Sequence, residues 1–458
     1  MNITAAIFKA LKTEPYRFQL KGIRFIQRHD GKALIADEMG LGKTLQAVAW
    51  LAIRPDLRPA VIVCPSSVKY VWQDESLKHA GLLTEVLTGK TPYPTFSDIL
   101  ILNYDILEKW SDCLLQLNPK VFIMDECHYA KNPKASRTKA CMKMAKNLPH
   151  IIAMSGTPIL NRPVEFFPVL HMIQPEIFKS FWPYAMRYCG ARKGKWGWDF
   201  SRATHVEELH EKLTGGMMIR RMKADVMSDL PPKQRIVIPM DANNMKVYRK
   251  AEDDFIEWLA SFDTEKARRA ARAVGLTKIG YLKKLAAEGK LKEGIKWVEN
   301  FLETGKKLVL FTTHTYILES LQKKFPKIAV RVDGSTKLRE RKKNIKTFQE
   351  SQKCRLFLGN LKAASEGITL TAADTTCFFE LGWTPAAHNQ AEDRVHRIGQ
   401  ESDSVTAFYL IARGTIEEDI LDLLEAKRQV IGDILDGKDV ANSNLFAEVA
   451  KKMKGRKK

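Results

Sequence analysis

No uninterrupted apolar run in this 458-residue chain reaches the roughly 20 residues that a membrane-spanning helix needs, so no bilayer span is expected. Cysteine is sparse and scattered. Cys64, Cys113, Cys127, Cys141, Cys189, Cys354 and Cys377 form no Cys-x-x-Cys pair and have no histidine at zinc-finger spacing, which argues against a stable zinc site and for a reducing compartment. The expected location is intracellular: cytoplasmic in a prokaryote or virus, nuclear in a eukaryote. Lys9 and Lys12 interrupt the apolar residues of the N-terminus and no small-residue cleavage pattern follows, so no export signal is read. Internal repeats and extended low-complexity segments are absent. Acidic residues are the remaining shortage. Against 74 Lys and Arg there are 53 Asp and Glu, and the formal net charge of +21 attracts polyanions, nucleic acid first among them.

What is present reads as an α/β protein. Short apolar runs, each followed by a turn and a helical pattern, are the mark of buried parallel strands with crossover helices. One series comprises Ala60–Cys64, Ile99–Leu102, Val121–Met124 and His150–Met154, and a second comprises Lys307–Phe311, Ile328–Val332, Arg355–Leu358 and Thr376–Phe379. Two parallel sheets fit better than one, with a first domain at residues 1–235 and a second at 236–458. Between the series, from about Glu165 to Gly305, the pattern turns helical, as at Glu265–Val274 and Ile279–Ala287, with Leu230-Pro231-Pro232 as punctuation. Ile416–Leu435 reads as one more helix, and residues 451–458 as a basic tail.

Three constellations carry chemistry. Ala33-Leu34-Ile35 runs into Asp37-Glu38-Met39-Gly40-Leu41-Gly42-Lys43-Thr44 and then a helix from Leu45. A strand, a glycine-containing loop and a helix N-terminus gather backbone N–H groups around phosphate, Lys43 can reach the β and γ phosphates, and Thr44 can hold Mg²⁺. Asp37 stands where the strict phosphate-loop pattern has its first glycine. The strand Val121–Met124 delivers Asp125 and Glu126 at its C-terminal end, where ligands of open α/β sheets collect; Asp125 suits the metal and Glu126 suits a general base. Far downstream, in Gln390–Gln400, Arg394 and Arg397 stand three apart, a spacing that puts both on one helix face, toward an anion such as the γ phosphate.

Asp37–Thr44, Asp125-Glu126-Cys127-His128, Ser155-Gly156-Thr157-Pro158 and Gln390–Gln400 resemble, in order and approximate spacing, the motifs of Swi/Snf-type DNA translocases of helicase superfamily two. The resemblance runs from about Tyr16 to Leu435. It implies two RecA-like lobes with a helical insertion and a C-terminal bracing helix at Ile416–Leu435, sharing one MgATP site. It further implies that Gln19 contacts adenine, that Gln390, Glu366 and Gly367 face the nucleotide with Asp37, Gly40, Gly42 and Lys43, and that DNA backbone is met by Ser66, Ser67, Tyr104, Thr157, Thr312, Gly334, Ser335 and Thr369. The expected activity is DNA-stimulated ATP hydrolysis driving movement on double-stranded or branched DNA.

Tyr188–Asp199 looks most like the annealing-helicase branch, whose members rewind DNA and remodel forks. Its three cations and two indoles, Trp196 and Trp198, could hold phosphate and stack on an unpaired base, or could simply plug the insertion. Clusters at Arg268-Arg269, Arg272, Lys283-Lys284 and Arg339–Lys343 read as solvated faces that together could line a DNA groove. A strand-separating helicase, a remodeller of protein–DNA complexes and an ATP-gated DNA-binding scaffold are the alternative functions.

Overall fold

The computed structural model describes residues 3–156, 163–194, 197–200, 202–227, 230–260, 272–364 and 367–435. The chain divides near residue 228 into two compact units, each built on a wholly parallel sheet.

The first unit contains β1 (Ala33–Ile35), β2 (Ala60–Cys64), β3 (Glu85–Val86), β4 (Ile99–Asn103), β5 (Val121–Asp125), β6 (His150–Met154), a small hairpin of β7 (Arg192–Gly194) and β8 (Gly197–Asp199), and β9 (Met218–Ile219). Its sheet runs β3-β4-β2-β5-β6-β1-β9. β2, β4 and β6 are buried along their whole length, because helices cover both faces and leave no polar side to alternate with. The core accordingly splits by strand parity: Leu34, Val61 and Val63 pack on one face, Ala33, Ile35 and Ile62 on the other. Register places the site. Ile35 pairs with Met154, and Met154 with Asp125, so the C-terminal ends of β1, β6 and β5 finish level and side by side.

The second unit contains β10 (Lys233–Met240), β11 (Leu308–Thr312), β12 (Ala329–Val332), β13 (Leu356–Asn360), β14 (Thr375–Phe378) and β15 (Val405–Ala412), in the order β10-β15-β14-β11-β13-β12. Val309 and Phe311 face one core layer, Leu308 and Leu310 the other. Ile416–Leu435 is a helix with Ile416, Ile420, Leu423 and Leu424 buried.

Every strand read from the two apolar series is present, within a residue or two at its ends. The stretch expected to be helical holds more than helices. Arg272–Glu303 is one long helix, but β9 adds an edge strand beside β1, and β10 pairs with β15 over eight residues from Lys233↔Val405 to Met240↔Ala412. The expected division at 235/236 falls inside β10. That strand is KQRIVIPM and largely exposed; it lies at the sheet edge, so Pro239 is tolerated and no buried apolar run announces it. Arg268, Arg269, Glu265 and the basic tail at 451–458 lie outside the described residues.

Candidate active site

β1 ends at Ile35 and the chain enters the loop Asp37–Gly42, in which Gly40 (φ 85°) and Gly42 (φ 71°) adopt the left-handed backbone that glycine takes without strain. Gly42 caps the helix Lys43–Ile53, whose first free N–H groups and dipole face outward from the sheet's C-terminal edge. Lys43 Nζ donates to the carbonyl oxygens of Asp37 (2.9 Å) and Glu38 (3.4 Å). Thr44 occupies the next position, in the helix's first turn. Gln19, in the helix Arg17–Arg28, is buried; its Oε1 accepts from the Tyr16 N–H (2.9 Å) and its Nε2 donates to the Leu41 carbonyl (3.2 Å), tying the loop to the preceding segment.

Asp37 is completely buried, and a residue the sequence reading passed over explains how. Arg221, just beyond β9, donates through Nε to Asp37 Oδ1 (2.8 Å) and through Nη2 to Asp37 Oδ2 and Gln46 Oε1 (2.9 Å); its Nη1 reaches the Phe18 carbonyl, and its guanidinium lies 5.6 Å from the Phe18 ring centroid. Gln46 Nε2 donates in turn to Asp37 Oδ2 (3.0 Å). Backbone hydrogen bonds from Glu38 to the Arg221 carbonyl (2.9 Å) and from Lys223 to Glu38 Oε2 (2.7 Å) extend the seam. Thus Asp37 substitutes an ion pair for the glycine, and Arg221 holds the loop through it. The only signal in sequence was the pair Arg220-Arg221 after a short apolar run, which local pattern cannot connect to a residue 184 positions away.

At the end of β5, Asp125 Oδ2 accepts from Trp72 Nε1 (2.8 Å) and Asp125 Oδ1 from the Glu126 N–H (3.0 Å). Glu126 sits at φ 50°, ψ 54°, a left-handed conformation uncommon outside glycine, as strain at a functional position often is. Its Oε2 lies 3.2 Å from His128 Nδ1 and accepts from Ser155 Oγ (3.1 Å), which itself is 3.1 Å from His128 Nδ1. Burial and the adjacent Glu126 charge push Asp125 up from the usual carboxylate range. Burial also opposes ionisation of Glu126, but hydrogen bonding and charge from His128, with Lys43 and Ser155, outweigh it and hold Glu126 low. A divalent cation beside Asp125 would relieve what burial and repulsion impose, and the Asp125 carboxylate and Thr44 hydroxyl are oxygens of the kind magnesium takes alongside its waters.

In the second unit the helix Pro385–Glu392 ends before the arginines. Arg394 and Arg397 therefore do not share a helix face as their spacing suggested; the chain turns after Glu392, where Arg394 Nε donates back to the Gln390 carbonyl (2.9 Å). The turn nonetheless brings both together. Arg394 Nη1 and Arg397 Nη1 donate to the same Ile368 carbonyl (3.2 and 3.3 Å), and Arg397 Nη1 also to Thr369 Oγ1 (2.9 Å). Gly367, at φ 66°, opens this loop, and Gln390 is buried in the helix. Glu366 lies outside the described residues.

The expected DNA contacts sort by exposure. Ser66 is exposed and Ser67 half-buried at the end of β2. No side chain would crowd a Cβ at Gly334, beside Ser335, whose N–H and hydroxyl both donate to Asp333 Oδ1 (2.8 and 2.6 Å). Tyr104 is 2% exposed and its hydroxyl donates to the Asp125 carbonyl (2.7 Å); Thr312 is buried with its hydroxyl on Glu380. Those two hydroxyls are spent inside their own lobes. Thr157 and Trp196 lie outside the described residues. Lys283, read as part of a solvated cluster, is instead buried: its Nζ donates to the Leu381 carbonyl (2.6 Å) and sits 4.4 Å from the Trp383 ring centroid. Local charge density did not reveal that this helix face meets the sheet.

No described helix is long and apolar enough to cross a membrane. The family profile of the SNF2-related domain matches residues 18–293, and that of the helicase conserved C-terminal domain residues 293–399. The chain is 34% identical over 426 residues to "SWI/SNF-related matrix-associated actin-dependent regulator of chromatin subfamily A-like protein 1" of Xenopus laevis, a match covering 91% of this chain and 43% of that protein. It is 35% identical over 446 residues to "DNA annealing helicase and endonuclease ZRANB3" of Mus musculus, covering 93% and 41%. The chain thus spans less than half the length of these relatives. Among solved structures it is similar to the Sulfolobus solfataricus SWI2/SNF2 ATPase core in complex with dsDNA, at 23% identity and a TM-score of 0.45, over 97% of this chain and 96% of that one.

Proposed function

Since the chain belongs to the SNF2-related family, we propose that it is a DNA-stimulated ATPase that moves along double-stranded DNA and remodels or rewinds branched structures such as forks. The observation that carries the proposal is the level finish of β1, β6 and β5, which gathers Lys43, Ser155, Asp125 and Glu126 at one edge of one sheet. In this reading the loop N–H groups and Lys43 hold the β and γ phosphates, and Gln19 meets the base. Asp125 and Thr44 would hold Mg²⁺, which supplies charge neutralisation to the phosphates. Glu126, kept ionised by His128 and Ser155, orients and deprotonates the attacking water. Arg394 and Arg397 stabilise the charge that moves onto the γ phosphate; the Ile368 carbonyl they now share, and the Thr369 hydroxyl that Arg397 also holds, are weaker partners than a phosphate oxygen. Ser66, Ser67, Gly334 and Ser335 meet backbone phosphates, which are alike at every sequence. The relatives named for annealing and for chromatin regulation support a DNA substrate; the fork is the finer part of the proposal.

The test is steady-state ATP hydrolysis at one stated salt concentration with no nucleic acid, single-stranded DNA, blunt duplex, forked DNA and RNA. Stimulation by duplex or fork supports the proposal. Stimulation confined to single strands or RNA replaces it with a strand-separating helicase, and no hydrolysis at all replaces it with a scaffold. Binding should also weaken steeply as salt rises, since Lys and Arg displace counterions from phosphate.

A further inference from the structure

The hairpin β7–β8 carries an aromatic surface that nothing in the nucleotide chemistry uses. Antiparallel pairing sets Lys193 opposite Trp198 and Arg192 opposite Asp199, so Lys193 and Trp198 share one face of the ribbon while the other face closes on an Arg192–Asp199 ion pair at 3.1 Å. Trp182, at the start of the helix Phe181–Tyr188, meets Trp198 edge-on with centroids 4.8 Å apart and an interplanar angle of 68°. Phe200 lies beneath both indoles, 5.8 Å from Trp182 and 6.4 Å from Trp198, the latter stacked at 10°. Phe181 links Phe200 to Phe167 of the core, with centroids 5.1 and 5.6 Å apart.

Phe200 and Phe181 thus connect the hairpin to the core. Trp182, edge-on to both phenylalanines, and Trp198, stacked on Phe200, remain 47% and 44% exposed. The segment from Lys179 to Arg202 is basic in sequence, with six cations against the single carboxylate of Asp199; Arg187 and Arg192 are paired with Glu208 and Asp199. Among the described residues no carboxylate pairs with Lys193. Preorganised aromatic faces interleaved with cations suit a strand whose backbone is anionic and whose bases present open π faces. A paired duplex offers no such face. A protein partner would have to be acidic and apolar at once.

We infer that Trp182 and Trp198, with Lys193, form a stacking platform for an unpaired base, the means by which this motor would tell branched DNA from plain duplex. The inference deepens the fork reading above and rests on it. It is tested on the full chain with 2-aminopurine placed in the single-stranded arm next to a fork junction, without ATP, alongside ATP hydrolysis on blunt duplex and on fork. The parent should quench the probe on binding. Trp182→Ala with Trp198→Ala should lose the quenching and weaken fork binding on the order of tenfold or more, leave blunt-duplex stimulation unchanged, and erase any excess stimulation by the fork. Trp182→Phe with Trp198→Phe should recover most of both signals. Lys193→Glu, at an exposed position, should weaken fork binding with both indoles present. Quenching and fork affinity equal to the parent's in the double alanine variant overturn the inference and leave the surface to a protein partner. An equal loss on blunt duplex overturns it too, because the indoles then serve general DNA contact or folding. The quenching needs no hydrolysis, so failure of the motor reading and failure of the platform are separately visible.

Discussion

The two lobes treat buried carboxylates in opposite ways at Glu392, where the helix Pro385–Glu392 ends, and at Asp125, where β5 ends. In the second lobe Glu392 is buried between Lys233 (2.9 Å) and Arg235 (2.8 Å), with the Tyr409 hydroxyl donating at 2.7 Å. Burial opposes its charge, but Lys233 and Arg235 hold it well below the usual range. Glu380 likewise accepts from the Thr313 hydroxyl and the Thr313 and His314 N–H groups, all within 3.1 Å, and from Thr312 Oγ1. In the first lobe Asp125 has two neutral donors and an acidic neighbour, and is pushed up instead. A buried carboxylate surrounded by fixed donors is complete in the folded chain, whereas one still resisting its charge leaves room for the charge of a ligand. The contrast marks Asp125 as the acid left for a ligand's charge, while Glu126 beside it is kept ionised by His128, Lys43 and Ser155.

Changes at Lys43 and Glu126 should abolish chemistry and spare the fold. Lys43→Ala is expected to eliminate measurable ATP hydrolysis, and Glu126→Gln to bind ATP with near-parental affinity while hydrolysing it at least about a hundredfold more slowly. Thermal melting should move little in either, since neither side chain fills the core. A Glu126→Gln variant that turns over ATP normally would remove the general base from the mechanism. Arg397→Ala comes next: if it stabilises the transition state as an arginine finger, turnover falls about a thousandfold or more with ATP binding largely kept. Loss of binding without loss of turnover would reassign it to ground-state contact.

The parallel strands were legible because both faces are covered, so each appears as an unbroken apolar run that needs no long-range information. The phosphate loop and Asp125–Glu126 were legible for the same reason, as they follow directly on such runs. β10 was not, because it begins with Lys233, Gln234 and Arg235, of which Lys233 and Arg235 serve Glu392 far along the chain rather than any local pattern. Arg394 and Arg397 were placed together for the wrong reason: a turn, not a helix, unites them, and helical spacing cannot register where Glu392 ends the helix. Trp198 was singled out, but Trp182 was not, since sixteen residues separate them and only the hairpin brings them into contact.

Arg221 sits between the two classes, a structural cation serving a reactive loop. Arg221→Ala leaves Asp37 buried with Gln46 as its remaining side-chain donor, and breaking such a pair costs about 3–5 kcal/mol. The first lobe should unfold at lower denaturant and ATP affinity should fall with it. Adding Asp37→Gly removes the stranded charge and restores a glycine to the loop, so the double variant should recover a large part of both losses. A double variant as poor as Arg221→Ala alone would mean that the contacts to Phe18 and Gln46, rather than the ion pair, are what the arginine supplies.

The smallest effect is expected at Glu380, where the contrast becomes a matter of pH. Burial opposes its ionisation, yet the hydrogen bond and charge of His314, with the Thr312 hydroxyl and the His314 N–H, hold it at about 2. A carboxyl whose folded pKa lies below its unfolded value of roughly 4.3 stabilises the fold fully above that value and loses the contribution as pH falls toward about 2. Glu380→Gln should therefore be less stable than the parent at neutral pH, with the gap narrowing between about pH 4 and pH 2 as the parent's carboxyl takes up its proton. Denaturant melts of the two proteins across that range measure the gap directly. A gap that stays constant would show that Glu380 contributes through the shape of its hydrogen-bond network and not through its charge, and would remove it from the class of acids that cations and donors have completed.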